Sequence, residues 1–142
     1  METCEESKFD HPIFNGEYEL ISLLGKGRTS LVYKARSIHD RTKIVAIKVL
    51  IDAYLKFEKR SVEKEIMILK QLKHKNIIDL YDWGDNGTIK MSNGVEATNL
   101  LYLITEVVTN GCLFKMVQSI GKCGEDSGRF FMRQMLEVLQ LT

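Results

Sequence analysis

The chain has 142 residues, 44% of them apolar and 27% charged, and its 20 Lys plus Arg against 19 Asp plus Glu leave a net charge of +1. That composition belongs to a globular domain with a real core and excludes collagen-like and disordered chains. It leaves no whole-molecule field to draw the protein onto nucleic acid or an anionic membrane, so neither is an expected partner. No apolar run reaches the roughly 18 residues of a membrane helix, and the acidic start Met1-Glu2-Thr3-Cys4-Glu5-Glu6 is the opposite of a signal peptide, so a cytoplasmic setting is expected, a nuclear one being equally compatible.

Residues 1–16 read as a polar, flexible leader ending in the turn signal Asn15-Gly16, and the folded part is expected from Tyr18. Tyr18 to Leu24 is a β-favouring run broken by Gly25-Lys26-Gly27, and Ser30 to Ser37 resumes in alternation, with Leu31, Tyr33 and Ala35 on one face: a hairpin. After the polar turn Ile38-His39-Asp40-Arg41, the β-branched run Lys43 to Ile51 predicts a largely buried third strand. From Ser61 to Lys73 the period changes, and Glu65, Ile68, Leu69 and Leu72 share one helical face. Ile77 to Trp83 and Leu100 to Thr105 read as two more strands joined by an extended arm, with Asn93-Gly94 favoured over Asn86-Gly87 as its tip. A short helix after Gly111 and a longer one over Glu125 to Leu141 follow, the latter with Phe131, Met135, Val138 and Leu139 on one face. Cys4, Cys112 and Cys123 lie far apart, with no C-x-x-C and no adjacent histidine, so reduced thiols are expected, with neither a disulfide framework nor a metal site.

Gly25-x-Gly27-x-x-Ser30-x-Val32 can let a backbone approach a phosphate closely. A strand follows the glycines where a dinucleotide fold needs a helix, and Gly25-Lys26 is followed by Gly27 where a Walker A loop needs Ser or Thr, so both readings fail. Taken alone, the loop also fits a plain hairpin turn. Val45-Ala46-Ile47-Lys48, however, sets a lysine in a strand otherwise suited to burial, where it needs an anionic partner. Glu65, the carboxylate on the apolar stripe of the next helix, is the natural one, because Glu63 lies off that face.

Loop, lysine and glutamate in this order resemble a protein kinase, from about Tyr18 to the C-terminus. The resemblance continues through Leu72-Lys73-His74-Lys75-Asn76-Ile77-Ile78, through Leu101-Tyr102-Leu103-Ile104-Thr105-Glu106 and through Gly124-Glu125-Asp126 to Gln134, and it favours the serine/threonine kinases. It implies an α+β fold: a protein-kinase-like N-lobe over 17–105, with a five-stranded antiparallel sheet and one major helix, a hinge at 106–111 and the start of a C-lobe over 112–142. It also implies that Gly25, Lys26, Gly27 and Ser30 cover the phosphates of ATP, that Val32 and Ala46 sandwich the adenine, and that the backbone of Glu106 and Val108 bonds its edge. By the same resemblance, Thr105 would take the gatekeeper position, Lys48 would hold the α- and β-phosphates, Glu65 would fix Lys48, and Leu69 and Leu80 would join the internal spine.

Two departures stand out: Ser30 replaces the third loop glycine, and Cys112 sits where many kinases carry an acidic residue, which weakens any preference for basic substrates. The resemblance implies ATP with Mg²⁺ and a protein substrate for the complete kinase. Neither H-R-D-x-x-x-x-N nor D-F-G occurs in the sequence, and His39-Asp40-Arg41 has the wrong order, so the chain reads as an incomplete kinase domain that is inactive alone, without metal ligands of its own. Two other readings stand beside this one, a short non-catalytic, pseudokinase-like nucleotide-binding or regulatory module, and a purely structural interaction domain. Lys59, Arg60, Lys64, Lys70 and Lys73 make helix 59–73 basic, a candidate docking surface for a regulatory partner.

Overall fold

A computed structural model describes residues 11–51 and 56–141. Cys4 and the leader as far as Asp10 lie outside the described residues. In chain order the elements are β1 (Ile13–Phe14), β2 (Tyr18–Lys26), β3 (Ser30–Ser37), β4 (Ile44–Leu50), α1 (Lys56–Gln71), β5 (Leu80–Lys90), β6 (Glu96–Glu106), α2 (Leu113–Ile120) and α3 (Glu125–Leu139). All strand pairings are antiparallel, in the order β1-β2-β3-β4-β6-β5, and the sheet closes into a barrel because β1 pairs with both β2 and β5. This is the expected α+β arrangement, a kinase-type N-lobe sheet with one major helix followed by further helices, with six strands instead of five.

Alternation along the strands divides the apolar residues into two cores. Val45, Ile47 and Val49 of β4 point into the barrel with Leu20, Ala35, Ile89, Tyr102 and Ile104. Leu50 of β4 and Leu101 and Leu103 of β6 point outward, where Val62, Ile66 and Leu69 of α1 cover them, with Ile77 and Leu80 at the margin. Burial pushes the Tyr102 phenol pKa up, and the carboxylate of Asp82, which accepts its hydrogen bond at 3.3 Å, adds to the shift.

Three expectations need correction. The sheet starts at Ile13, not Tyr18: Phe14 is 0% exposed and meets Tyr102 edge-on at 5.0 Å between ring centroids. Asn15-Gly16, with φ of 50° and 67°, is therefore the turn of a β1–β2 hairpin and not the end of a leader. Two residues are too few to show a strand period. The buried stripe of α1 is Val62, Ile66 and Leu69 with Glu65 beside them, whereas Ile68 is 55% exposed. Both stripes contain Glu65 and Leu69, and the sheet selects the one that also brings Val62 and Ile66 onto Leu50, Leu101 and Leu103. Finally, β5 begins at Leu80, because the chain from His74 is still turning, with the Ile77 N–H donating to the His74 carbonyl at 3.0 Å. The strand continues through Asn86-Gly87, with a register shift against β6 on each side of Gly87. A Cβ on Gly87 would stand 2.8 Å from the Tyr102 ring and 2.9 Å from the Leu100 carbonyl, so this glycine serves close packing. The hairpin tip is at Asn93-Gly94, where the Met91 N–H donates to the Val95 carbonyl at 2.8 Å.

Phe14→Ala is expected to destabilise the chain by about 3–5 kcal/mol in denaturant unfolding, the usual result of emptying a buried aromatic site. A flexible leader would predict no measurable change.

Candidate nucleotide-binding site

Directly opposed residues of antiparallel strands point to the same side of a sheet. Gly25 opposes Val32, Val32 opposes Lys48 and Lys48 opposes Leu103, which makes one row across β2, β3, β4 and β6. Ala46 opposes Thr105 in the next row along β4 and β6. The register thus brings Gly25, Val32, Ala46, Lys48 and Thr105 onto the outer face, the same face against which α1 packs.

Lys48 meets a carboxylate there: its Nζ lies 2.7 Å from Glu65 Oε2. The side chains are 28% and 38% exposed. That exposure keeps the pair near the ~1 kcal/mol typical of solvent-screened ion pairs, so its main effect is to orient the ammonium and not to hold the fold. Glu65 is carried to this spot by the apolar stripe of α1, three residues after Val62 and four before Leu69.

The β2–β3 ladder runs out to Lys26 and Leu31, and the hairpin closes with the Gly27 N–H donating to the Ser30 carbonyl at 2.8 Å. A Cβ on Gly27 would sit 2.8 Å from Ser30 Oγ, so Gly27 and Ser30 constrain each other at the tip. Gly25 differs: nothing among the described residues lies within 4 Å of the place its Cβ would take. At this position on the Lys48 face the missing side chain leaves room for close backbone approach by an anionic group. The donor set, backbone next to an oriented ammonium, fits an anionic ligand. For magnesium the fit fails, since no three His, Cys, Asp or Glu side chains gather to hold a metal among the described residues.

At the other end of the face, Thr105 is buried and its hydroxyl donates to the Glu106 carbonyl at 3.1 Å. The Glu106 N–H donates to the Asp79 carbonyl at 3.0 Å, and Glu106 Oε1 accepts from the Asp79 N–H at 3.0 Å. Nothing in the sequence pattern marks this two-way clasp. Val108, beyond the end of β6, is exposed, and exposed Cys112 is the N-cap of α2. The His39-Asp40-Arg41 segment is an exposed turn in which Asp40 Oδ1 accepts from the Thr42 hydroxyl at 2.6 Å and from its N–H at 3.0 Å. Of the basic helix residues, Lys59 lies 4.0 Å from Glu63, Lys70 sits over the Trp83 ring at 4.4 Å and Lys73 lies 3.5 Å from Asp79. Arg60 and Lys64 are exposed and make no ion pair among the described residues.

The loop after α1 also holds the C-terminal helices. His74 Nδ1 accepts from the Asn76 N–H at 3.1 Å, and the Asn76 amide donates to Glu137 Oε2 at 3.1 Å and to the Gln134 carbonyl at 3.3 Å. Lys75 lies 3.3 Å from the same Glu137 oxygen.

Together, barrel, flanking helix, lysine–glutamate contact and trailing helices define a class, the N-terminal lobe of a protein kinase with the opening of the second lobe. Comparison with known proteins agrees. The protein kinase domain profile matches residues 18–141. A calcium/calmodulin-dependent protein kinase type 1 of Caenorhabditis elegans is 32% identical over 123 residues, covering 87% of this chain and 32% of that protein. A calcium/calmodulin-dependent protein kinase type II of Schizosaccharomyces pombe is 33% identical over 125 residues, covering 87% and 22%. The serine/threonine-protein kinase ULK1 of Homo sapiens is 30% identical over 125 residues, covering 88% and 11%. The chain belongs to the protein kinase family, is related to its serine/threonine members, and spans about a third or less of the length of these relatives.

The Lys75 hydrogen bond holds the Glu137 carboxyl below its ordinary range, with Asn76 adding to the effect. A carboxylate lowered in the folded state stabilises it above the unfolded pKa, and that stabilisation disappears as pH falls through the folded value. Glu137→Gln is therefore expected to flatten the acid limb of the melting temperature between about pH 5 and pH 3 relative to the parent chain. An unchanged limb in thermal melts would place this carboxylate outside the contact.

Proposed function

We propose that this chain is the ATP-binding part of a serine/threonine protein kinase, which transfers the γ-phosphate of ATP to protein hydroxyl groups. The observation that carries the reading is the 2.7 Å contact between Lys48 and Glu65, on the face that also holds Gly25, Val32, Ala46 and Thr105.

In this reading the Lys48 ammonium binds the α- and β-phosphates, and Glu65 keeps it from folding away into solvent, so that the charge stands ready before the ligand arrives. Gly25, Lys26, Gly27 and Ser30 lie over the phosphates, with Gly25 leaving room for backbone approach. Val32 and Ala46 flank the adenine, Thr105 lines the back of its slot, and the backbone of Glu106 and Val108 bonds its edge. ATP supplies the phosphoryl group. A base for the hydroxyl and acidic ligands for magnesium belong to H-R-D and D-F-G segments, and the 142 residues contain neither. The chain by itself is thus expected to bind ATP without transferring its phosphate. The cytoplasmic setting, the protein substrate and regulatory docking on helix 59–73 belong to the same proposal. No helix among the described residues is long and apolar enough to cross a membrane.

Calorimetric titration with ATP tests the reading. Lys48→Met is expected to weaken binding about tenfold or more, since a hydrogen-bonded charge is lost, and Glu65→Ala by a smaller factor, with far-UV circular dichroism unchanged in both. Equal affinity in parent and Lys48→Met, or no binding by the parent chain, would overturn it.

A further inference from the structure

The basic residues of helix 59–73 do not share one environment. Lys59 lies 4.0 Å from Glu63, Lys70 stands 4.4 Å from the centre of the Trp83 ring and Lys73 lies 3.5 Å from Asp79. Arg60 and Lys64 are exposed and pair with no acidic group among the described residues. At the helical repeat, Phe57, Lys64 and Ile68 fall on one line down α1, with Arg60 and Met67 beside it. That line is on the opposite side from Val62, Ile66 and Leu69, which dock the helix on the sheet. Phe57 is 81% exposed, Met67 59% and Ile68 55%. One exposed apolar residue is ordinary, but three on one stripe with two cations among them give α1 a second, mixed face.

We infer that this stripe docks an acidic amphipathic helix of a partner protein. The inference rests on the regulatory docking proposed for helix 59–73, narrows it to Phe57, Arg60, Lys64, Met67 and Ile68, and names the chemistry of the partner. Phe57 and the Met67–Ile68 pair are about 16 Å apart along the helix axis, so two apolar anchors about eleven residues apart on the partner meet them. Asp or Glu in the turns between those anchors meets Arg60 and Lys64, and the apolar contacts at either end keep water from the ion pairs and strengthen them. A second copy of the chain does not fit, because the stripe packed on itself sets cations against cations. A membrane fits no better. Interfacial helices keep their cations on the face away from the lipid, whereas Lys64 lies between Phe57 and Ile68 on the apolar line itself.

The test uses the 142-residue chain and a fluorescein-labelled helical peptide of about 18 residues, with leucines about eleven residues apart and glutamates between them on the same face. Anisotropy titration is expected to show saturable binding that Ile68→Asp and Lys64→Glu each weaken about tenfold, whereas Lys59→Glu, off the stripe, changes it by less than about twofold. A peptide with serine for both leucines is expected to bind about tenfold more weakly. Equal binding of the serine peptide, or by Ile68→Asp, with loss in Lys64→Glu alone, would overturn the inference while leaving plain basic docking on helix 59–73 standing. Undiminished binding by both variants would put the peptide elsewhere on the molecule and overturn it as well. No binding of either peptide by a chain with unchanged far-UV circular dichroism would remove the docking reading and the inference with it. Sedimentation with phosphatidylserine vesicles, or a dimer of the parent chain, that Ile68→Asp abolishes would assign the stripe to lipid or to a second copy and also overturn it.

Discussion

A strand whose one face is sealed in a barrel has only one other place to put its polar residues. Val45, Ile47 and Val49 close the interior of this sheet, so period-two alternation sends Ala46, Lys48 and Leu50 to the outside. A one-residue slip would bury the ammonium among Ile104, Tyr102 and Ala35. The position of Lys48 therefore rests on the packing of its neighbours, and the remaining site residues follow from the register: Val32 and Leu103 beside it, Ala46 and Thr105 one step along.

The helix divides its labour in the same way. Val62, Ile66 and Leu69 dock α1 on Leu50, Leu101 and Leu103, and apolar burial of this kind supplies roughly 1.5–3 kcal/mol per fully buried side chain. The solvent-screened pair between Lys48 and Glu65 adds far less to stability. Docking energy thus comes from the apolar stripe and charge placement from the glutamate within it, so a shift of α1 along the sheet would break the pair before it unfolded the lobe. The loop that follows α1 limits such a shift at both ends, through Asp79 on Glu106 and through Asn76 and Lys75 on Glu137.

Much of this could be read from the residues alone. Alternation in Ser30 to Ser37 and the β-branched run Lys43 to Ile51 mark two strands, and the lysine out of place in one and the carboxylate on an apolar stripe point to each other without any coordinates. What escaped reading has physical causes. β1 is two residues long and carries no period, yet Phe14 closes the barrel. Ile68 and Ile66 are equally apolar, and only the sheet decides which of them turns inward. Gly87 looks like a turn glycine beside Asn86, but the Tyr102 ring and the Leu100 carbonyl determine its identity. The Glu106 clasp joins residues 27 positions apart through two backbone N–H groups, for which no residue-type pattern exists.

The central claim is that one face of this barrel, and not the other, receives the nucleotide. Chemical-shift mapping of the isotope-labelled chain during an ATP titration tests it directly. The account predicts that the signals of Gly25, Val32, Ala46, Lys48 and Thr105 move together and saturably, while Val45, Ile47 and Ile104 across the same strands stay nearly still. Shifts concentrated on α3, or spread equally over both faces of the sheet, would contradict it.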